Sequence, residues 1–532
     1  TYTADCLMWS KNYRGHRFSP LNQINRQNVK RLVPKWCFSL GTHGSQQSTP
    51  LVHNGTMYVT STQGKIFALD AETGEMLWEF DSKLPDDATK YGPDANRGAA
   101  IYKDKIYWNN IVCTLFCLNA KTGEVIWKVT PEYYRLGYSK TFAPLIVKGM
   151  VVTGIGGGEW GIRGYVEARD AETGKRKWKT YTIPAPGEPG HETWPKDSDI
   201  WQHGGAPTWI TGSFDPDLNT IYWTTGNAGP WHGADRPGDN LYTCSLLALD
   251  ADTGKIKWHY QFVQHDEWDY DSNVTPILTE LDGTPVVVVA NKTGFMWVLD
   301  RRNGKFLKGV KVSETTKDFW AKGLDAQGRP IVEEWARPKV GAKERVFVAP
   351  SALGTCNWWG MAFDPRRQWV ILVANETGNN LVWDPIPYVP VQEFVGTSEK
   401  EPFAEATKRT AEKPGRVCAY DLKTMKKVWE AQPEWEVRWG GPLVTGGDLV
   451  FTGTMRGYLQ ALDAETGKTL WQFQTGSGIM AHPVTYAVNG KQYIAIVSGK
   501  GGVANPASLS LDFFKYMKNH NSSGMVFAFG LP

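Results

Sequence analysis

Residues 68–78 read Ala-Leu-Asp-Ala-Glu-Thr-Gly-Glu-Met-Leu-Trp, and this stretch decides the fold. The apolar pair at its start is typical of the end of a β-strand. Residues 70–74 predict a hairpin turn, because Gly74 is free to adopt a positive φ and Asp70 can bond the turn backbone. The apolar residues from Met76 to Phe80 predict the next strand, so the phrase encodes a tight hairpin.

The same phrase, Ala-x-Asp-Ala-x-Thr-Gly-x-x-x-Trp, recurs along the chain. Close copies span 68–78, 168–178, 248–258 and 461–471. Looser copies span 117–127 and 419–429, the second with Met425 in place of the glycine, and a degenerate copy at 298–304 lacks the tryptophan. Helical periodicity is scarce between them, so the repeats indicate an architecture built from β-strands.

The spacing of the copies identifies the kind of repeat. Most successive copies start about 40–50 residues apart, which is the length of one four-stranded propeller blade. A tryptophan ring at a fixed place in each blade can wedge against the next blade. We therefore predict an all-β propeller of seven or eight blades, with eight favoured, as one domain over residues 1–532. A strand at Leu32 to Leu40 is expected to pair with strands near Met525 to Phe529 and close the ring.

Two intervals between copies, 168 to 248 and 298 to 419, are much longer than one blade. They leave room for long insertions or, in the second interval, for another blade. Stretches rich in Pro, Gly and charge, without the repeat, occur at 183–200, 229–240, 312–347 and 384–415. Loops of a propeller gather on one face, so we expect these stretches to build the rim of a pocket.

The composition excludes some classes of protein. A formal net charge of +3 over 532 residues argues against a dedicated nucleic-acid-binding protein. No run of about 18 apolar residues occurs, so no membrane-spanning helix is expected. Cys113 and Cys117 would share one face of a strand, either as a redox or disulfide pair or as two buried thiols. The sequence contains no Cys-x-x-Cys-His motif, so no attached c-type haem is expected.

Residues 265–271 read His-Asp-Glu-Trp-Asp-Tyr-Asp and place four carboxylates among aromatic rings. Rings favour burial whereas carboxylates favour water. The mixture predicts a partly buried anionic site that requires a cation, a proton or an arginine. An acidic loop folded over the end of a strand is the alternative interpretation of this stretch alone.

The tryptophan phrase and residues 268–271 together resemble the quinoprotein alcohol dehydrogenases, periplasmic enzymes that use pyrroloquinoline quinone (PQQ) and a bound metal. The resemblance runs from Trp9-Ser10 and residues 17–21, through residues 28–32, to residues 439–441 and 499–502. The order and spacing of the motifs carry it, rather than any single motif. It implies an eight-bladed, PQQ-dependent oxidoreductase that acts on an alcohol.

The resemblance also implies which residues contact the cofactor. Residues 156–161, Gly-Gly-Gly-Glu-Trp-Gly, resemble the loop whose backbone meets the quinone, which implicates Gly157 and Gly158. Trp209 matches the ring on which the quinone lies, and Arg97 matches a clamp for a quinone carboxylate. The further contacts implied are Lys292, Thr141, Asn375 and Trp439. For the last three of these residues, a purely structural role is equally open.

The metal ligands implied by the resemblance all offer oxygen donors: Glu159, Asn227, Asp269 and Asp271. Oxygen donors are what a hard cation such as Ca²⁺ selects. Asp271 stands at a position that this family associates with lanthanide enzymes, because a higher ionic charge tolerates one more carboxylate. Other branches carry a nearby acid and use calcium, so both ions stay open.

Alcohol oxidation requires a proton acceptor for the hydroxyl group and an electrophile that takes the hydride. The resemblance makes Asp269 the base and the quinone the electrophile, with the metal as a Lewis acid. Lys292 would stabilise negative charge on the reduced quinone. A metal ligand or structural acid without a proton-transfer role is the alternative for Asp269.

Some residues depart from the family pattern. Tyr91 and Gly92 stand where many relatives have two adjacent cysteines, so the disulfide that covers the quinone is missing and Tyr91 is a candidate to replace it. Val503 stands where methanol-type enzymes have a tryptophan. The smaller side chain predicts a wider pocket and an alcohol larger than methanol. Residues 357–360 are candidates for apolar pocket walls.

The resemblance implies that electrons leave to a separate acceptor, a cytochrome c or a similar carrier. The chain starts at Thr1 rather than Met, which is typical of a processed, periplasmic protein. Two rival functions stay open: a PQQ-dependent polyol or sugar dehydrogenase, and a non-catalytic propeller scaffold. A scaffold has no reason to place Glu159, Trp209 and Asn227 at the family spacing.

Overall fold

The computed structural model describes residues 4–341, 343, 345–399, 403–499 and 523–532. It contains eight antiparallel sheets of the propeller type, which we number as blades 1 to 8 with strands A to D in each. The A strands are buried along their length, whereas the D strands alternate buried and exposed residues, so the D strands form the outer surface. The prediction of an eight-bladed, all-β propeller is confirmed.

Each blade consists of four strands, and their bounds follow in the order A to D. Blades 1 to 4 comprise Leu51–His53, Thr56–Thr60, Lys65–Asp70 and Met76–Asp81; Ala100–Tyr102, Lys105–Asn109, Leu115–Asn119 and Val125–Val129; Leu145–Val147, Met150–Thr153, Tyr165–Asp170 and Arg176–Tyr181; and Ser213–Asp215, Thr220–Thr224, Ser245–Asp250 and Ile256–Gln261. Blades 5 to 8 comprise Ile277–Leu281, Thr284–Ala290, Phe295–Asp300 and Phe306–Lys311; Met361–Asp364, Trp369–Asn375, Gly415–Asp421 and Lys427–Glu430; Leu443–Thr445, Leu449–Gly453, Tyr458–Asp463 and Thr469–Gln474; and Val484–Val488, Lys491–Ser498, Met525–Gly530 and Val33–Ser39.

The tryptophan of the repeated phrase forms the contact between neighbouring blades. Six such indole nitrogens each donate to a backbone carbonyl of the following blade or of the segment that leads into it, at 3.0–3.3 Å: those of Trp36, Trp78, Trp127, Trp178, Trp429 and Trp471. The ring also packs on the turn glycine of the next blade. A Cβ atom added to Gly254, for example, would lie 2.4 Å from the ring of Trp178. The glycine therefore provides the space for the ring as well as the positive φ of the turn.

The contact between blades 5 and 6 departs from this pattern on both sides. Lys308 occupies the tryptophan position of blade 5, and its Nζ donates to the carbonyl of Lys423 in blade 6. Met425 occupies the glycine position of blade 6 with φ +57°. Because no indole ring packs on this turn, the larger side chain is tolerated. The degenerate phrase and the missing glycine thus have one physical cause.

The ring is closed by the two ends of the chain. Strand Val33–Ser39 pairs antiparallel with strand Met525–Gly530, as the sequence predicted. Trp36 is the docking tryptophan of this eighth blade, since its indole donates to the carbonyl of Ala71. The sequence analysis missed Trp36, because the phrase of blade 8 is divided between the two ends of the chain.

The two wide intervals of the sequence hold insertions, and blades 5 and 6 are consecutive. The remaining elements are strands Phe18–Ser19, which extends the sheet of blade 7, Ser45–Gln46 paired with Ala95–Asn96, Ala321–Leu324 with Pro330–Val332, and Val346–Val348 with Asn379–Trp383 and Thr397–Glu399. One short α-helix spans Phe403–Lys408, and 3₁₀ turns span Val29–Arg31, Ala88–Lys90, Tyr134–Leu136, Gly158–Trp160, His191–Thr193, Ile200–His203 and Glu334–Ala336.

The cysteines of blade 2 are buried free thiols. Cys117 lies on a strand that begins at Leu115, whereas Cys113 lies in the preceding turn with φ +66°. The prediction that both share one strand face was therefore wrong, and the redox or disulfide interpretation is not supported. The prediction of one domain over 1–532 stays a prediction.

Candidate active site

The residues proposed for the site lie on one face of the propeller. In each antiparallel sheet, strand A begins and strand B ends at the same edge. The connections from strand D to the next strand A supply Arg97, Thr141, Trp209, Asp269, Asp271 and Trp439, and those from strand B to strand C supply Gly157, Gly158, Glu159, Asn227, Lys292 and, at the end of its strand, Asn375. The fold thus brings together residues that lie far apart in the sequence.

A cavity of about 650 Å³ opens on this face. Its volume lies within the range of ligand pockets, about 300–1,000 Å³. Eight of the proposed residues line it: Arg97, Thr141, Gly157, Glu159, Trp209, Asp269, Asp271 and Lys292. Tyr91, Asn357 and Trp358, which the sequence analysis also singled out, line it too.

Four proposed residues lie behind the cavity wall. Asn227 lies against Gly158, because a Cβ atom added to that glycine would be 2.3 Å from the Asn227 Oδ1 atom. The amide of Asn375 is engaged with the backbone of Arg438, to which it donates at 2.9 Å and from which it accepts at 2.7 Å. Trp439 is fully buried and packs against Trp358 and Trp359. Their roles toward the cofactor stay predictions.

Arg97 presents a buried positive charge to the cavity. Its side chain is 2% exposed, and its Nη1 donates to the Thr141 hydroxyl. The guanidinium lies 4.9 Å from the centre of the Trp209 ring and 5.8 Å from that of Trp358. Its Nε has no hydrogen-bond partner among the described residues, and burial lowers the pKa of Arg97 to about 9. A buried guanidinium without a carboxylate requires an anionic ligand.

Lys292 bridges two of the cavity carboxylates. Its Nζ donates to Oδ2 of Asp269 at 2.7 Å and to Oδ2 of Asp271 at 2.8 Å. Burial acts to lower the pKa of Lys292, but the two carboxylates outweigh burial and raise it. The other oxygen of Asp271, Oδ1, accepts from the backbone N–H of Asn227 at 2.7 Å. This bond fixes the carboxylate against the connection between strands B and C of blade 4.

The cavity contains more negative than positive charge beside Lys292. Burial, followed by the repulsion of Asp271, raises the pKa of Glu159 to about 7, and burial raises the pKa of Asp269 well above its usual range. Three carboxylates thus share one ammonium group. A further cation would relieve this imbalance.

Two oxygen atoms at this place are unsatisfied. Oδ1 of Asn227 and Oδ1 of Asp269 are buried, and neither has a hydrogen-bond partner in the part of the chain that the structure describes. No three His, Cys, Asp or Glu side chains among the described residues form a metal group by themselves. One donor here is an amide, and Lys292 lies between two of the acids. The donor set is of the oxygen type that Ca²⁺ and similar hard ions select, so the residues fit such an ion.

The stretch 265–271 alternates between two environments. Asp269 and Asp271 face the cavity, whereas the rings of Trp268 and Tyr270 are fully buried on the other side. The Trp268 indole donates to the carbonyl of Ala336, and the Tyr270 hydroxyl donates to that of Pro350. Acids and rings thus alternate over residues 268–271, where the acids line the site and the rings anchor it to the core. Asp266 and Glu267 do not line the cavity, and Glu267 pairs with Arg337.

Aromatic side chains surround the mouth of the cavity. Tyr91 contacts Trp160, with ring centres 5.6 Å apart, and both line the cavity. Trp231 and Glu393, which the sequence analysis missed, also line it, and they come from the insertions 229–240 and 384–415. The insertions 183–200 and 312–347 contribute no lining residue, so the prediction that all four build the rim was only partly right. Val503 lies outside the described residues.

Among the described residues no helix is long and apolar enough to cross a membrane. The cavity instead defines a propeller enzyme site, with a flat aromatic wall and a cationic clamp beside a group of oxygen donors. These features fit a flat, polyanionic ring such as PQQ, because Arg97 would meet a carboxylate and Trp209 would meet a ring face.

Comparisons with known proteins agree with this class. Residues 7–331 and 431–494 match the family model described as the PQQ glucose, ethanol and alcohol dehydrogenase β-propeller domain. The chain is 39% identical to quinoprotein alcohol dehydrogenase PedH of Pseudomonas putida, over 98% of this chain and 90% of that protein. It is 34% identical to a quinoprotein ethanol dehydrogenase of Pseudomonas aeruginosa, over 94% and 86% of the two chains.

Solved structures show the same relationship. The chain is similar to a europium-containing methanol dehydrogenase, with a TM-score of 0.92 and 33% identity over 99% of this chain and 98% of that one. It is also similar to a quinohemoprotein alcohol dehydrogenase from Comamonas testosteroni, with a TM-score of 0.90 and 34% identity, over 100% and 81% of the two chains. The protein belongs to the PQQ-dependent alcohol dehydrogenase family and is an oxidoreductase that acts on alcohols.

Proposed function

We propose that this protein oxidises an alcohol larger than methanol to an aldehyde or ketone, in the cavity that Asp269, Lys292 and Arg97 line. The observation that carries the proposal is the convergence of unsatisfied groups on this cavity. Within the described residues, Oδ1 of Asp269 on the cavity wall and Oδ1 of Asn227 behind it, against Gly158, lack partners, and the Arg97 guanidinium on the wall lacks an anion. A metal ion and a polyanionic quinone would satisfy both.

The protein holds the quinone by charge and by shape. Arg97, steadied by Thr141, binds a carboxylate, and Trp209 supports one face of the ring. Gly157 is required because a Cβ atom would clash with the Gly137 carbonyl, and its backbone would meet the cofactor at the cavity wall. Tyr91, on the same wall, would cover the cofactor in place of a disulfide. Gly158, Asn375 and Trp439 act from behind the wall: the glycine lets Asn227 approach, and the other two fix the residues around them.

The ion is held by Glu159, Asn227, Asp269 and Asp271. Three carboxylates suit a highly charged ion, and we favour a trivalent lanthanide over Ca²⁺ for this reason. The europium named for one similar solved structure supports this choice. Asp271 determines the choice between lanthanide and Ca²⁺, because its carboxylate is the additional negative donor.

When bound, the ion and the quinone supply the Lewis acid and the hydride acceptor. Asp269 accepts the proton of the substrate hydroxyl, since its carboxylate faces the cavity. Lys292 donates to Oδ2 of Asp269, so Oδ1, which has no partner among the described residues, keeps its lone pairs for the ion and for the substrate proton. The ammonium group of Lys292 would also stabilise the negative charge of the reduced quinone.

The substrate lies at the aromatic mouth formed by Tyr91, Trp160 and Trp231. Transfer of a carbon chain from water to a place between apolar rings is favourable, so the cavity should prefer alcohols with a larger apolar part. The relative named an ethanol dehydrogenase supports a substrate of this class. We further propose a periplasmic location and a cytochrome c-like protein as electron acceptor.

The test is reconstitution of the apoprotein with PQQ and an ion, followed by dye-linked oxidation of primary, secondary, cyclic, polyol and sugar substrates. We expect turnover of alcohols larger than methanol, with lanthanide supporting a higher rate than calcium. Asp269→Asn should lose at least 10³-fold in kcat, on the order expected for removal of a general base, whereas the exposed control Asp239→Asn should retain it. Full activity of Asp269→Asn would remove the assignment of the base.

The ion is tested separately by titrating the apoprotein with calcium and with lanthanum. Asp271→Ala should weaken lanthanum more than calcium, because it removes one unit of negative charge from the donor set. Equal weakening of both ions would contradict the role of Asp271. Preference for a polyol or sugar in the panel would replace the proposed substrate class.

A further inference from the structure

A second buried arginine, Arg17, lacks a partner outside the cofactor cavity. Its side chain is 3% exposed, and its Nε and Nη1 have no hydrogen-bond partner in the described chain. Its guanidinium lies 4.8 Å from the centre of the Trp9 ring. Two other buried arginines are paired with carboxylates, since Arg301 bonds Asp215 at 2.7 Å and Arg169 bonds Glu167 at 2.8 Å. Arg236 instead donates to backbone carbonyls and to Asn240.

The unsatisfied guanidinium faces a small cavity of about 10 Å³. A void of this size is about the minimum that holds one water molecule, so a carboxylate or a phosphate is too large for it, and a chloride ion fits when the side chains of the wall move by a few tenths of an ångström. Polar side chains on its wall are those of Ser10, Lys11, Thr49 and His482. The size of the cavity therefore limits the occupant to a water molecule or a single-atom ion.

The charge of the wall selects between these occupants. Arg17 and Lys11 are both basic, and no Asp or Glu is among the lining residues of this described cavity. The Lys11 ammonium donates to the backbone carbonyls of Asp5 and Thr485. The negative charge of Asp5 also acts on Lys11, whereas no acidic side chain acts on Arg17. A water molecule would satisfy hydrogen bonds here but would leave the charge of Arg17 uncompensated.

His482 and Thr49 complete the wall. One ring nitrogen of His482, Nε2, lies 2.9 Å from the carbonyl of Trp359 and donates to it, and the other, Nδ1, lies 3.3 Å from the Thr49 hydroxyl. The Thr49 hydroxyl can turn its proton to Nδ1 or to the cavity. This arrangement adds a hydrogen-bond donor to the cavity without adding negative charge.

We propose that Arg17 binds one chloride-sized anion in this cavity, as a structural site separate from the catalytic one. The Arg17 carbonyl accepts from Val444 N–H in blade 7, and His482 precedes the first strand of blade 8. The anion would thus join the N-terminal segment to the blades beside the ring closure. It stabilises the fold because it binds the folded chain alone.

The direct test is a crystal of the holoenzyme grown with bromide in place of chloride. We expect an anomalous peak within hydrogen-bonding distance of Arg17 Nε and Nη1. Thermal unfolding in chloride and in gluconate at equal ionic strength gives a second measurement. For 532 residues, an anion at ten times its Kd should raise Tm by about 1 °C, and at a hundred times by about 2 °C.

Variants separate a bound anion from a general salt effect. Arg17→Gln should lose the chloride dependence of Tm, whereas Arg14→Gln, an exposed arginine in the same segment, should keep it. No bromide density beside Arg17, or the same halide response in Arg17→Gln as in the wild type, would overturn the proposal. The diffraction experiment decides on the wild-type protein even where Arg17→Gln does not fold.

Discussion

Replacing Arg97 by methionine should stabilise the protein prepared without PQQ and, at the same time, weaken its binding of PQQ. The reason is that the Arg97 charge is buried and has no carboxylate partner among the described residues. It is steadied only by the Thr141 hydroxyl and by the rings of Trp209 and Trp358. A binding residue of this kind costs stability until its ligand arrives.

The magnitude follows from the pKa. Burial lowers the pKa of Arg97 from 12.5 to about 9, and each pKa unit corresponds to about 1.4 kcal/mol, so the buried charge costs at most about 5 kcal/mol. Methionine recovers this cost but loses one hydrogen bond, about 1 kcal/mol, and the ring contact, about 1 kcal/mol. We expect a net gain of about 1–3 kcal/mol. Over 532 residues this raises Tm by about 1–3 °C.

The assay is unfolding of the apoprotein by calorimetry, together with PQQ titration by fluorescence. PQQ binding should weaken about 100-fold, since a charge-assisted bidentate contact is lost. The matched control is Arg416→Met. Arg416 is equally buried but is paired with Glu376 and Glu430, so its removal should destabilise by about 3–5 kcal/mol. Destabilisation of the Arg97 variant by a similar amount would refute the reasoning.

Three further predictions concern the fold. Gly174→Ala should destabilise the protein by about 2–4 kcal/mol, because it strains a positive φ and brings Cβ to 2.9 Å from the Trp127 ring. Gly283→Ala also strains a positive φ, but its Cβ meets nothing within 4 Å, so it should cost only about 1 kcal/mol. Similar losses of the two variants in urea unfolding would contradict the role of the ring contact. Burial lowers the pKa of His16 to about 4, so below pH 6.5 the unfolded chain binds a proton that the folded chain does not. The free energy of unfolding should therefore fall by about 2 kcal/mol between pH 7 and pH 5, and His16→Gln should abolish this contribution to the pH dependence. Trp36→Ala should lower the free energy of unfolding by about 3–5 kcal/mol and speed amide hydrogen exchange first in strands 33–39 and 525–530. An equal increase of exchange in all blades would contradict the role of Trp36 in closing the ring.

Much of the fold could be predicted because one short phrase determines both a turn and a contact between blades. The phrase predicted the hairpins at Asp70 and Asp170 correctly, since the side chain of each accepts from its own turn. Sequence reasoning failed where the determining residues are not local. The docking role of Trp36 depends on pairing with the far end of the chain, and the turn that contains Cys113 carries no repeat signal.

The candidate site was less predictable from local pattern. Interleaved acids and rings at 265–271 indicated a buried anionic site, and the structure shows the period of two that separates the acids from the rings. The insertions 229–240 and 384–415 were expected at the rim of the pocket, but nothing in their sequence identifies Trp231 and Glu393 as the residues that reach the cavity. Their positions depend on how the insertions fold back, which no short-range periodicity encodes.

The partners of Asp269 explain why a propeller suits this chemistry. Lys292 comes from the strand B connection of blade 5, and Asn227 from that of blade 4, while Asp269 and Asp271 lie between those blades. Each connection is held by the strands of its sheet, and Trp178 and Trp258 pack on the turn glycines of blades 4 and 5, so the donors keep fixed separations although they lie far apart in the sequence. A base with one oxygen bonded and the other left free requires such fixed positions. The same rigidity explains how three carboxylates can stay close together until a cation binds, because the sheets offer them no room to move apart.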